Sequence, residues 1–178
     1  MSAGEHSPRH ADWLAALRAY LAISAGLNLL WEGAQLPLYA LWSTGTIWTK
    51  AFTIVHCALG DVMIAALALV AALVVIGSNA WPLERVRVVF VFAVAFGIAY
   101  TIYSEWLNTT VRQSWAYSPL MPVLPLIGTG LSPILQWLVV PSLALTLATR
   151  LRRLLLRTRR RTSRRVSIPR GYQCSLRP

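Results

Sequence analysis

Charged side chains are scarce over most of this chain, and their scarcity excludes an ordinary soluble domain. Only 13% of the 178 residues are charged and 56% are hydrophobic, whereas about 25% of the residues in a typical soluble domain are charged. Acids are the rarest, with six Asp or Glu against 17 Lys or Arg. This composition predicts an integral membrane protein.

Other absences exclude familiar kinds of site. The two cysteines, Cys57 and Cys174, fall in a predicted membrane helix and in the C-terminal tail, so no disulfide framework is indicated. The chain has no Gly-rich phosphate loop, nucleophile elbow or His-Glu-x-x-His motif, so the sequence names no cofactor and no standard soluble-enzyme chemistry. Residues 1–11 lack the apolar core of a signal peptide, and we expect the first hydrophobic segment to be retained as a helix.

Four apolar segments are long enough to cross a bilayer as helices. They cover about 13–35, 51–76, 86–108 and 131–149, close to the roughly 20 residues that one span needs. The longest connection, 109–130, contains three prolines and would leave peptide groups unpaired in lipid, so we expect a surface loop or a re-entrant cover. The fold class is therefore all-α, with an integral membrane four-helix bundle in residues 1–149.

The arginines of the tail set the expected orientation. Residues from Arg150 onward hold eleven arginines and no acid. Cytoplasmic segments beside membrane spans carry such an excess, so we expect both termini in the cytoplasm and the protein in the cell inner membrane. Residues 150–178 are predicted to begin as a short basic helix, to be mostly disordered beyond it, and to contact anionic lipids rather than nucleic acid.

Polar side chains inside the apolar spans form the candidate site. Thr101, Glu105 and Asn108 follow one another at i, i+4 and i+7, which places them on one helix face. Every predicted span has such residues in the half expected to face outward, so we predict an acidic polar chamber there. The candidate binding residues are Asn28, Glu32, Gln35, His56, Asp61, Glu105, Asn108 and Gln136.

Each of these signals also has a purely structural interpretation. Glu32 and Glu105 could serve only to hold helices together, but interhelical polar contacts in membranes average about 0.6 kcal/mol, so function is favoured for buried acids. His56 among acids is a candidate metal ligand or proton carrier. Arg112, Trp115 and Tyr117 of the 109–130 connection form either a lid over the chamber or an aromatic belt at the membrane interface.

Three classes of function remain open at the level of sequence. The acids favour a chamber that binds or moves a small polar or cationic solute, with a proton or a metal ion among the candidates. The alternatives are a membrane-embedded enzyme acting on a lipid or isoprenoid, with the acids as general acid or base, and a non-catalytic accessory subunit of a membrane complex. Four helices offer little surface for a pathway, so a homo-oligomer or a membrane-protein partner is expected.

Overall fold

The computed structural model describes residues 9–76 and 85–166, and these residues are almost entirely helical. Within them there is no strand, and β-pairing is limited to two isolated β-bridges. The helices are α1 (Arg9–Gln35), α2 (Leu41–Thr44), α3 (Ile47–Ile76), α4 (Val86–Trp106) and α5 (Leu131–Val166). A 3-10 turn, Leu36–Leu38, follows α1, and α4 continues into a π-helical turn, Leu107–Val111. The all-α prediction is confirmed.

Among the described residues, three stretches are long and apolar enough to cross a membrane. They are Ile47–Ile76, Val86–Val111 and Leu131–Ala148, and they overlap the second, third and fourth spans predicted from the sequence. The predicted first span, 13–35, lies in α1, which is not one of the three. The protein therefore has the helices of a membrane protein, in agreement with the composition.

Two helices extend beyond their predicted ends for local reasons. Helix α3 begins at Ile47 rather than near residue 51, because the Thr46 hydroxyl accepts a hydrogen bond from the backbone N–H of Thr49 at 3.2 Å and caps the helix. Helix α5 continues past residue 149 to Val166, since Leu and Arg are good helix formers and no Pro or Gly lies between residue 149 and Pro169. The prediction that the tail becomes disordered after a short helix ending near Leu156 is therefore wrong for residues 157–166, which are helical. The rest of the segment predicted to be disordered, 167–178, lies outside the described part of the chain.

The four long helices close on one another around a core of small side chains. Helix α1 packs against α3 and α5, and α4 packs against the same two helices from the other side. The core contains Ala68, Ala72, Ala93, Ala144 and Ala148, with Tyr20, Leu69 and Val89. Small residues let helix backbones approach closely, which is how helices associate in lipid.

The large apolar side chains lie on the outside instead. On α3, Val55, Leu59, Met63, Leu67 and Val74 are all exposed, and their spacing of four or seven residues keeps them on one helix face. An exposed apolar stripe of this length is a liability in water. It matches a helix surface that contacts lipid.

The 112–130 segment lies against the connection that follows α1. The backbone N–H of Ala40 donates to Ala116 O at 2.9 Å and that of Ser118 donates to Leu38 O at 2.9 Å. These bonds flank the β-bridge between Tyr39 and Tyr117. The segment is thus irregular but has backbone partners, as a covering loop requires.

Candidate functional site

A cavity of about 290 Å³ lies among the four long helices, beneath the 112–130 segment. We call it the chamber. Each long helix and the covering segment contribute polar or aromatic side chains to its wall. Those used below are Glu32 and Gln35 of α1, His56, Cys57, Gly60 and Asp61 of α3, Tyr100, Thr101 and Glu105 of α4, Gln136 and Trp137 of α5, Tyr39 and Trp115.

Gln136 connects two of the three carboxyl groups. Its amide nitrogen Nε2 lies 2.7 Å from Asp61 Oδ2 and 3.0 Å from Glu32 Oε1. The same nitrogen lies 3.0 Å from the Asn28 carbonyl Oδ1. An amide has only two N–H donors, so three acceptors from two other helices compete for one group. Residues of α1, α3 and α5 therefore meet at a single side chain.

A second amide, Gln35, extends this cluster toward the end of α1. Its Nε2 donates to Glu32 Oε1 at 2.7 Å and to Gln136 Oε1 at 3.3 Å. Its Oε1 accepts from Ser132 Oγ at 2.8 Å and from Trp31 Nε1 at 3.2 Å. These bonds fix the orientation of Gln35. The Glu32 carboxyl is therefore held by two amides, Gln35 and Gln136, each of which makes further hydrogen bonds.

The cluster contains acids without a basic partner. Among the residues that the structure describes, no Lys or Arg lines the chamber. Two carboxylates that share one donor repel each other, and amides are neutral, so the pair needs a proton or a bound cation as its counter-charge. The chamber is consequently suited to positively charged guests.

Glu105 sits across the chamber and is held by two tyrosines. Tyr117 donates its phenol hydrogen to Glu105 Oε2, and Tyr39 OH lies 3.4 Å from Oε1. The Tyr117 oxygen also accepts from the backbone N–H of Gly130 at 2.9 Å. The two rings contact each other, with centroids 5.7 Å apart. Glu105 thus ties the covering segment to the chamber.

Both tyrosines are outside the spans and remain hydrogen-bond donors over a wide pH range. Burial raises the pKa of Tyr39 above its ordinary value of 10.0, and the neighbouring Glu105 carboxylate raises it further. Burial also raises the pKa of Tyr117, and the hydrogen bond to Glu105 acts in the same direction. A neutral phenol beside a carboxylate therefore persists well above neutral pH.

The structure brings most of the candidate residues predicted from the sequence to the chamber, but not all of them. Seven line it: Glu32, Gln35, His56, Asp61, Glu105, Gln136 and Trp115. Asn28 lies one layer deeper, where it accepts from Gln136. Two candidates, Asn108 and Arg112, do not line the chamber. Asn108 donates a hydrogen bond to Ser104 O of its own helix at 2.9 Å, and Arg112 is exposed. Tyr117 reaches Glu105 from above without lining it.

Tyr39 is the principal residue that the sequence does not reveal. Its position after Pro37, among other aromatic residues, indicates only a membrane-interface loop. Its contacts with Glu105 and Tyr117 join residues 66 and 78 positions away along the chain. No local pattern encodes contacts of this range.

The metal-ligand interpretation of His56 gains no support from the described residues. They contain no group of three His, Cys, Asp or Glu side chains that could hold a metal ion. His56 instead stacks on Phe52, with ring centroids 5.5 Å apart and planes inclined by 15°. It is an exposed residue at the edge of the chamber.

Comparison of the chain with protein-family models, with curated proteins and with solved structures finds no match.

Proposed function

We propose that this membrane protein binds a small organic cation in the chamber. One observation carries the proposal: three carboxyl groups line a cavity of about 290 Å³, and none of the described residues that line it is Lys or Arg. Glu32 and Asp61 share Gln136 on one side, and Glu105 lies on the other. These carboxyl groups favour a ligand with a positive charge.

The size and the walls of the chamber favour an organic cation over a bare ion. A volume of about 290 Å³ lies at the lower end of the roughly 300–1,000 Å³ typical of small-molecule pockets. The lining includes the rings of Tyr39, Tyr100, Trp115 and Trp137, whose faces attract alkylammonium groups. A substituted amine can bind both to the carboxyl groups and to the faces of the aromatic rings.

The proposed setting is a multi-pass protein of the cell inner membrane with four spans. Helix α1 has 27 residues, or about 40 Å at ~1.5 Å per residue, which is enough to cross a bilayer. It packs along α3 and α5, both of which are apolar enough to span. A fourth span places the two termini on one side, and the arginines from Arg150 onward favour the cytoplasm. Movement of the bound cation across the membrane is the activity that this setting supports.

A binding titration tests the proposal. The purified protein in lipid nanodiscs is titrated with tetramethylammonium, and the dissociation constant is measured for wild type, Glu32→Gln and Asp61→Asn. We expect each substitution to weaken binding at least tenfold, because it removes one negative charge from the shared site. Asn108→Ala is the matched control, since Asn108 bonds to its own helix and does not line the chamber.

The proposal fails if wild type and both carboxyl variants bind tetramethylammonium equally, or if none of them binds it. Equal amounts of folded protein in the membrane fraction exclude a trivial loss through misfolding.

One observation favours a second candidate, a membrane-embedded enzyme that acts on a lipid. Two residues of the chamber wall, His56 and Tyr100, are exposed on the outer surface of the helices, where lipid has access. Lipid extracts from cells with and without the gene distinguish the two candidates. An altered lipid or precursor in the deletion strain favours the enzyme, and identical profiles favour solute binding.

A further inference from the structure

The wall of the chamber is open between α3 and α4. His56 and Tyr100 both line the chamber, yet His56 is exposed and Tyr100 is 43% exposed. Gly60 also lines it, and a Cβ atom built at Gly60 would meet nothing within 4 Å. One residue from α4 and two from α3 therefore border an opening rather than a sealed seam. We call this opening the side mouth.

Three other sides of the chamber are closed. Between α1 and α5, Gln35 bonds to Ser132 and Gln136. Between α4 and α5, the Trp137 ring lies so close to Gly97 that a Cβ there would be 2.1 Å from Cε3. Above, the covering segment is bonded to residues 38–40 and to Glu105.

The side mouth faces the hydrocarbon of the bilayer. On α3, the exposed side chains one turn from His56 and Gly60 are Phe52, Leu59 and Met63. On α4, Phe96 and Tyr103 flank Tyr100 and are exposed as well. Large apolar groups rim the opening, which is typical of a lipid-facing surface.

We propose that the ligand enters the chamber sideways from the bilayer and is an amphiphilic amine, with a cationic head and a hydrocarbon chain. This inference rests on the proposed function for the charge of the head. The head lies among Glu32, Asp61 and Glu105, and the chain extends through the side mouth into lipid. A phosphate-bearing headgroup is unsuited, because no Lys or Arg on the described wall is present to bind it.

Cys57 makes the route measurable without reference to any ligand. It lines the chamber and is a free thiol. With Cys174 replaced by Ser, the full chain in nanodiscs is treated with two maleimides, one carrying a dodecyl chain and one a short glycol chain, which is neutral and water-soluble. We expect the dodecyl reagent to label Cys57 at least tenfold faster than the glycol reagent, each rate being normalised to free cysteine.

Two glycine substitutions test the route, one that blocks the side mouth and one that serves as its control. Gly60→Trp places a large ring in the side mouth and should slow dodecyl-maleimide labelling at least tenfold. Gly33→Trp is the control, since Gly33 also has open space around its Cβ position but does not line the chamber; its labelling rate should change less than twofold. The route is refuted if the glycol reagent reacts as fast as the dodecyl reagent. It is also refuted if Gly60→Trp and Gly33→Trp behave alike.

The class of ligand is tested with dodecyltrimethylammonium, which has the head of tetramethylammonium and a single chain. Gly60→Trp should weaken its binding at least tenfold, and Gly33→Trp less than twofold. Equal binding in the two variants refutes a chain that extends through the side mouth. If neither ammonium compound binds to the wild-type protein, the proposed function fails, whereas the sideways route still stands or falls by the labelling of Cys57.

Discussion

Gln136 is the residue that joins the candidate site, because its single amide nitrogen lies within 3.0 Å of acceptors on α1 and α3. The pattern Asn28, Glu32, Gln35 predicts one polar face of α1, and the structure has that face turned inward. The sequence does not indicate that Gln136 is the common partner. Helical periodicity predicts which residues share a face of a helix, but not which other helix packs against that face. Because the Gln136 amide is neutral, the two acids need a proton or a bound cation as their counter-charge.

The phenols of Tyr39 and Tyr117 lead to a prediction about pH. Both folded-state pKa values are raised above the ordinary 10.0, so the stability that these residues contribute is fully present below about pH 10 and is lost as pH rises through the folded pKa values. The double variant Tyr39→Phe, Tyr117→Phe lacks this contribution. We expect it to melt at a lower temperature than wild type at pH 7 and the difference to shrink above pH 10.

Thermal melting in detergent at pH 7, 9 and 11 measures the effect. Tyr103→Phe, at an exposed tyrosine that packs on Trp106, is the control and should follow wild type throughout. A difference between wild type and the double variant that is constant or grows with pH would contradict the assignment of the phenols as hydrogen-bond donors to Glu105.

At the level of the helices, close packing of α4 on α5 fixes the floor of the chamber. Gly97 lies against the Trp137 ring, which is only 5% exposed. We expect Gly97→Ala to destabilise the protein by about 1–3 kcal/mol, because a methyl group there overlaps the ring and the buried ring has no free space. Gly26→Ala should be neutral or slightly stabilising, since Gly26 has open space and Ala is the better helix former.

The comparison of the two glycine variants by chemical denaturation in detergent is decisive, since both add one methyl group to a helix. Equal stability of Gly97→Ala and Gly26→Ala would show that α4 and α5 are not packed through Gly97.

The sequence predicts the helices better than it predicts their partners. The apolar segments locate α3, α4 and the first half of α5, because a run of about twenty apolar residues is long enough to cross a bilayer as a helix. The Ala, Leu and Val of α3 do not disclose which face is buried, since all three residues are compatible with lipid and with a core. The extension of α4 into the π-helical turn Leu107–Val111 also has no sequence signal, and it sets the direction in which the covering segment leaves the helix.

At the scale of the whole molecule, the proposed arrangement has four spans, which place the two termini on one side of the membrane. Three positions report on this: Ala3→Cys before α1, Leu126→Cys, where Leu126 is 99% exposed in the covering segment, and the native Cys174. Each is placed singly in a chain without other cysteines. An impermeant maleimide added to intact cells should label only Leu126→Cys, because the arginines hold the tail in the cytoplasm. Labelling of Ala3→Cys together with Leu126→Cys would show that α1 does not cross the membrane.

The position of a bound cation would show directly whether the chamber is a cation site. A structure of the protein with 2-bromoethyltrimethylammonium, with data collected at the bromine absorption edge, locates the ligand without assumptions about function. We predict a bromine peak inside the chamber, close to Glu32, Asp61 and Glu105, and expect Glu32→Gln to abolish it. A bromine peak only at another site, or an empty chamber at saturating ligand concentration, would show that the chamber is not a cation site.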